Sequence, residues 1–110
     1  MSLEATLDVT VDEEVVFEFR VVNTGTRAVE LTFPTGQPGD ITVTDRGTGE
    51  QVWRWGDDKM FTQALRQTTI EPEDSLDVEF TWSDPDTGTY EAIATLEADV
   101  SAAARSSFAV

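Results

Sequence analysis

Two short strings in the 110-residue chain carry groups that could do chemistry. Asp86-Thr87-Gly88-Thr89 is the D-T-G-T string with which a homodimeric aspartic protease aligns two carboxylates around one shared proton. That arrangement needs burial at the end of a hydrophobic strand. Here Asp84-Pro85 precede the string, and Pro, Asp and Gly are what turns prefer, so the spacing reads as a solvated β-turn. Asp84, Asp86 and Gly88 also begin a calcium-loop register, but the register is cut short and lacks its closing Glu. Arg46-Gly47-Thr48-Gly49-Glu50 contains a G-x-G that joins two strands instead of opening a helix, so no helix N-terminus is there to hold phosphate.

The remaining chemistry is narrow. With no Cys and no His, there is no Ser-His-Asp triad, no thiol nucleophile and no His or Cys zinc site. Carboxylate pairs could cut glycosidic bonds, but among 22 Asp and Glu no pair is singled out. The sequence therefore reads as non-enzymatic, with no cofactor and no metal.

Those 22 acids face only 7 Lys and Arg, a net charge of −15. Such a surface repels phosphate backbones and anionic lipid heads, and the cations are scattered, so nucleic acid and membrane are excluded as partners. Six of the seven cations are Arg, Lys59 being the exception, and carboxylates dominate, which resembles the proteome style of salt-loving archaea. No run approaches the ~20 apolar residues of a membrane span, and the acidic start lacks a signal-peptide pattern. A cytoplasmic, monomeric protein is expected, and the absence of Cys agrees with a reducing compartment.

The elements that must position any site are strands. Hydrophobic residues make up 39% of the chain, with three Trp, one Tyr and six Phe, enough for one packed domain over residues 1–110. Period-2 alternation marks Leu3-Thr10, Glu13-Asn23, Ala28-Phe33, Asp40-Asp45, Gln51-Trp55, Leu76-Trp82, Thr89-Asp99 and Ala104-Val110, with Thr62-Ile70 as an irregular or weak strand. Val15, Phe17, Phe19 and Val21 form one plainly apolar face. Pro34-Thr35-Gly36-Gln37-Pro38-Gly39 is a loop, because proline lacks the N–H a ladder needs. Arg46-Gly49 closes a hairpin. The fold class is all-β, an immunoglobulin-like two-sheet antiparallel β-sandwich of about 7–9 strands, with a small barrel as the alternative. Tyr90, opening a late strand after Gly88-Thr89, suits the corner position of such sandwiches, or ordinary core.

Ordered along this frame are Leu31-Thr32-Phe33-Pro34-Thr35-Gly36-Gln37, Asp40-Ile41-Thr42-Val43-Thr44-Asp45, Gly49-x-x-Val52-Trp53-Arg54-Trp55-Gly56, and Met60-Phe61-Thr62-Gln63-Ala64-Leu65. Pro72-x-x-Ser75-Leu76, Phe80-Thr81-Trp82 and Gly88-Thr89-Tyr90 follow. The set resembles the intracellular proteinase inhibitor family BsuPI. The resemblance implies an immunoglobulin-like sandwich and inhibition of an intracellular subtilisin-type serine protease, the activity of the family's founding bacterial member. Glu73 departs from the glycine expected after Pro72, which bears on the turn more than on function.

A cytosolic serine protease is thus the expected partner, and two loops are candidates to meet it. Gly56-Asp57-Asp58-Lys59-Met60-Phe61 follows the tryptophan pair, and Met60 offers a large apolar side chain of the kind subtilisin-type pockets accept. Thr35-Gly39, with Thr35, Gly36 and Gln37 as its candidate contacts, is stiffened by Pro34 and Pro38. Gln37 and Gln63 are expected to hold loops through bonds to backbone. The alternative function is an accessory module that binds another protein through a sheet edge, without inhibitory activity.

Overall fold

Alternation in the sequence becomes alternation of buried and exposed side chains along nine strands, in a computed structural model that describes residues 3–57 and 59–110. They are β1 (Leu3–Val11), β2 (Val15–Asn23), β3 (Val29–Phe33), β4 (Gly39–Asp45), β5 (Gln51–Arg54), β6 (Arg66–Ile70), β7 (Ser75–Trp82), β8 (Thr89–Leu96) and β9 (Ala103–Ala109). Among the described residues there is no helix.

The strand ends that differ from expectation have local causes. β2 starts at Val15 and not Glu13, because the Asp12 N–H donates to the Glu14 carbonyl at 3.0 Å and uses both residues in a turn. β5 stops at Arg54, and Trp55 enters a turn closed by the Asp57 N–H on the Arg54 carbonyl at 3.2 Å. β8 ends at Leu96 instead of Asp99, since the Glu97 N–H leaves the ladder for the Pro38 carbonyl at 3.2 Å. Of the weak strand expected over Thr62-Ile70, only Arg66–Ile70 pairs.

All pairings are antiparallel. A three-stranded sheet, β1-β2-β7, packs on a four-stranded one, β5-β4-β8-β9. The two-sheet expectation is refined by a third, two-stranded ribbon, β3-β6. Its cause is the Pro34–Gly39 break, which separates β3 from β4 and leaves β3 to pair with β6. β1 lies beside β9 and closes one side of the sandwich. On the other side the edge strands β5 and β7 are bridged by the stacked rings of Trp53 and Trp82, 5.7 Å apart.

Between the sheets, large and small side chains interleave. Phe17, Phe19 and Phe80 are fully buried, as are Ala92 and Ala94 on β8, so the bulk of one sheet faces the small residues of the other. Gly39 completes this fit: a Cβ there would lie 2.9 Å from the Thr95 carbonyl and 3.4 Å from Phe80 Cζ. Truncating one of these phenylalanines to Ala costs about 3–5 kcal/mol in such a core. The Tyr90 hydroxyl donates to the Asp86 carbonyl at 2.8 Å, four residues upstream, which makes it the corner residue. That bond fixes the Asp84–Gly88 segment, in which Asp86 is exposed outside any strand, as the turn reading of D-T-G-T requires.

Candidate functional site

The site grows from the end of the Asp45–Gln51 hairpin. Asp45 Oδ1 accepts from the Gly47 and Thr48 N–H groups at 2.7 and 3.2 Å, and Gly49 takes a φ of 78° that glycine tolerates. The hairpin thereby returns the chain as β5 with Trp53 facing the core, stacked at 6.0 Å on Phe17 and at 5.7 Å on Trp82. Two residues on, Trp55 shares that face and meets Phe80 edge-on at 4.9 Å. The pair is inter-sheet packing, as large aromatics favour.

Trp55 is also the platform for the loop that follows it. The Lys59 ammonium lies 4.8 Å from the Trp55 ring centroid, and the Phe61 ring packs on the same indole at 5.7 Å. Between these two contacts, Met60 is 98% exposed. Asp57 is exposed with Oδ1 3.8 Å from Arg54 Nη1, and Asp58 lies outside the described residues.

The second loop meets the first. The Gly36 N–H donates to the Thr62 carbonyl at 2.9 Å, and a Cβ on Gly36 would come within 2.7 Å of Thr62 Oγ1. The Gln37 N–H donates to Thr35 Oγ1 at 3.1 Å, and the Gln37 amide nitrogen donates to the Gly39 carbonyl at 3.1 Å, so Gln37 holds its loop as expected. Gln63 does not: it is exposed and makes no such bond with the described residues. At the base of the first loop, Gly56 sits so close that a Cβ would be 3.0 Å from Gln37 Nε2 and 2.8 Å from Asp40 Oδ2.

Asp40, which the sequence reading did not single out, is the hub. Only 4% exposed, it accepts from the Gly56 N–H at 2.8 Å, the Ile41 N–H at 2.9 Å and Arg54 Nε at 2.6 Å. The hydrogen bond and charge of Asp40 push the Arg54 guanidinium above its ordinary pKa. One signal could have found it: Asp is disfavoured in strands, yet here it stands second in one, just before the inward Ile41. Among 22 acids that signal is lost.

The assembled site holds an exposed apolar side chain on a pinned loop, next to an open cleft of about 470 Å³ lined by Trp53, Trp55, Trp82 and Lys59. Among the described residues no three Asp or Glu converge to hold a metal ion.

A family model described as intracellular proteinase inhibitor, BsuPI, matches residues 3–100. No curated protein sequence gives a significant match. Solved structures show the fold in unrelated settings. The chain superposes on part of a penta-heme cytochrome c552 from Thermochromatium tepidum with a TM-score of 0.60 at 11% identity, covering 97% of this chain and 40% of that one. It thus spans about two fifths of that protein's length. The CARDB domain of a Pyrococcus furiosus protein, in complex with di-metal ions, gives 0.54 at 18% identity, over 98% of this chain and 86% of that one. A β-glucosidase from Kluyveromyces marxianus, in complex with glucose, gives 0.53 at 14% identity, over 98% of this chain and 14% of that one. At these identities the likenesses establish the fold alone.

Proposed function

This chain belongs to the intracellular proteinase inhibitor family BsuPI, and we propose that it inhibits a cytosolic serine protease of the subtilisin type by presenting Met60 to the enzyme's active-site cleft. Membership in an inhibitor family makes it a binding protein and not a catalyst. The observation that carries the reading is Met60, 98% exposed between Lys59 and Phe61, both of which rest on Trp55. A substrate-like inhibitor needs one convex apolar residue on a segment already close to its bound form, so that little entropy is lost on docking. The charge of −15 favours a salt-rich cytosol as the working medium, and at low salt it opposes self-association.

The test is a titration of the purified chain into a subtilisin-type protease in multimolar potassium chloride, following peptide hydrolysis and the integrity of the chain. Stoichiometric loss of activity with an intact chain is expected. Met60→Asp is expected to abolish inhibition while changing stability by no more than about 0.5 kcal/mol, because the side chain touches little. Undiminished potency in that variant overturns the loop assignment, and no effect of the parent chain on the protease overturns the inhibitor reading.

A second reading is supported by the edge of β5, which among the described residues pairs only with β4 and carries the exposed Val52 beside the tryptophan-lined cleft. An extended segment of another protein adding there as a strand would make the chain an accessory module. Capture from cytosol at high salt separates the two, a protease among the retained proteins favouring the first.

A further inference from the structure

We propose that Asp40 is the positioning residue of the Met60 loop, and that the Thr35–Gly39 segment is the buttress of that loop and not a second binding loop. The consequence for inhibition rests on the reading above, whereas the geometry stands without it. A buried carboxylate is costly unless its oxygens are bonded, and Asp40 bonds both within its own strand and to the Arg54–Gly56 stretch. Oδ1 takes the Ile41 N–H of β4 and the Gly56 N–H at the loop's base, at 2.9 and 2.8 Å. Oδ2 takes Arg54 Nε at the end of β5, at 2.6 Å. One side chain therefore ties the first residues of β4 to the place where the loop departs.

The buttress acts at both ends of the loop. At the departure, Gly56 is the residue type that fits, since a Cβ would fall 2.8 Å from Asp40 Oδ2 and 3.0 Å from Gln37 Nε2. At the return, the Gly36 N–H holds the Thr62 carbonyl at 2.9 Å, so tightly that Gly36 itself has no room for a side chain beside Thr62. Contacts at Gly56 and at Thr62 fix the two ends of the loop, which lowers the entropy cost of docking Met60. Gly36 and Gln37 are used inward in this arrangement, with their polar groups engaged by this chain, which is why they serve as support.

Asp40→Asn keeps the shape and sets an amide nitrogen against Arg54 Nε or removes an acceptor from Gly56. The whole chain, this variant and Val9→Ala, a control on β1 at the closed side of the sandwich, are compared at matched distances below their melting temperatures. Asp40→Asn is expected to raise amide exchange at Gly56 and cleavage between Met60 and Phe61 by about tenfold over the control, because the opening is local. Inhibition is expected to weaken by about tenfold as the loop's ordering is transferred to the binding step. Equal exchange and cleavage in Asp40→Asn and Val9→Ala overturn the proposal, since loop opening would then follow global unfolding. Should Asp40→Asn not fold, Arg54→Gln, which removes the 2.6 Å bond from the exposed side, is read in the same way. A parent chain that fails to inhibit, with Gly56 exchange still raised in the variant, sinks the inhibitor reading and upholds the positioning role. A parent that inhibits, with exchange and inhibition unchanged in the variant, does the reverse.

Discussion

Glu73 sits at a φ of 71° as the third residue of the turn Glu71-Pro72-Glu73-Asp74, which the Asp74 N–H closes on the Glu71 carbonyl at 3.0 Å. Proline second and a left-handed third residue define a type II turn, and that third position favours glycine. Glu73→Gly is therefore expected to stabilise the chain by about 1 kcal/mol, seen as a raised denaturation midpoint with unchanged slope. The turn is worth keeping because the Glu73 N–H returns to the Asn23 carbonyl at 2.8 Å. Asn23 is itself fully buried, its amide donating to the Arg27 and Ile70 carbonyls at 2.7 and 2.9 Å. Tyr90 supplies the pH dependence at this scale. Burial, reinforced by the charges of Asp86 and Asp45, raises its phenol above the ordinary 10.0. In the unfolded chain the phenol ionises at the ordinary value, so the stability it adds is whole below about pH 10 and is lost as pH rises beyond. Tyr90→Phe is expected to flatten that alkaline decline and to cost about 1 kcal/mol at neutral pH for the lost bond to Asp86, both read from melting curves.

At the scale of elements, the outer face of β1-β2-β7 is the weak point of the design. Register places Asp8 opposite Glu18 and Glu18 opposite Glu79, three exposed carboxylates in one row across three strands. Directly opposed like charges destabilise a sheet. The neighbouring row offsets them in part, since Arg20 Nε meets Asp77 Oδ1 at 2.8 Å, and both Glu18 and Asp8 add to the field that raises the Arg20 pKa. Glu18→Gln, at the middle of the row, is expected to raise the melting temperature at low salt and to leave it unchanged in multimolar potassium chloride. An equal shift at both salt concentrations would rule out charge repulsion as the cause. Eight of the strands were legible from alternation, though β2, β5 and β8 are shorter than it suggests, and β6 lies within the stretch that reads as irregular. The row was not, because alternation puts a residue on a face without naming its neighbour on the next strand.

At the scale of the whole molecule, the charge of −15 sets the salt response. The Debye length shrinks from about 8 Å at physiological salt to about 3 Å at 1 M, so repulsion between well-separated carboxylates disappears over that range. The melting temperature of the parent chain is expected to climb steeply up to about 1 M potassium chloride and then to level, a course differential scanning calorimetry follows directly. A flat response would mean that the acids are placed without mutual strain.

Composition and alternation by themselves determined that the chain is a β-sandwich with Val15, Phe17, Phe19 and Val21 inward, and that it lacks the imidazole and thiol of most catalytic sites. Those are local properties, since each residue's face and chemistry depend on its type and its neighbours in sequence. The two candidate loops were legible too, as the Pro- and Gly-rich break and as the polar stretch after the tryptophans. That they touch, at Gly36 and Thr62 and again where Gly56 meets Gln37, was decided only by tertiary structure. Asp40 and Arg54 are 14 residues apart, and Gly36 reaches Thr62 only because β4 and β5 fold back as a hairpin. No pattern along a single strand records which of 22 carboxylates will be buried beside a particular N–H; that choice is made when separate strands pack.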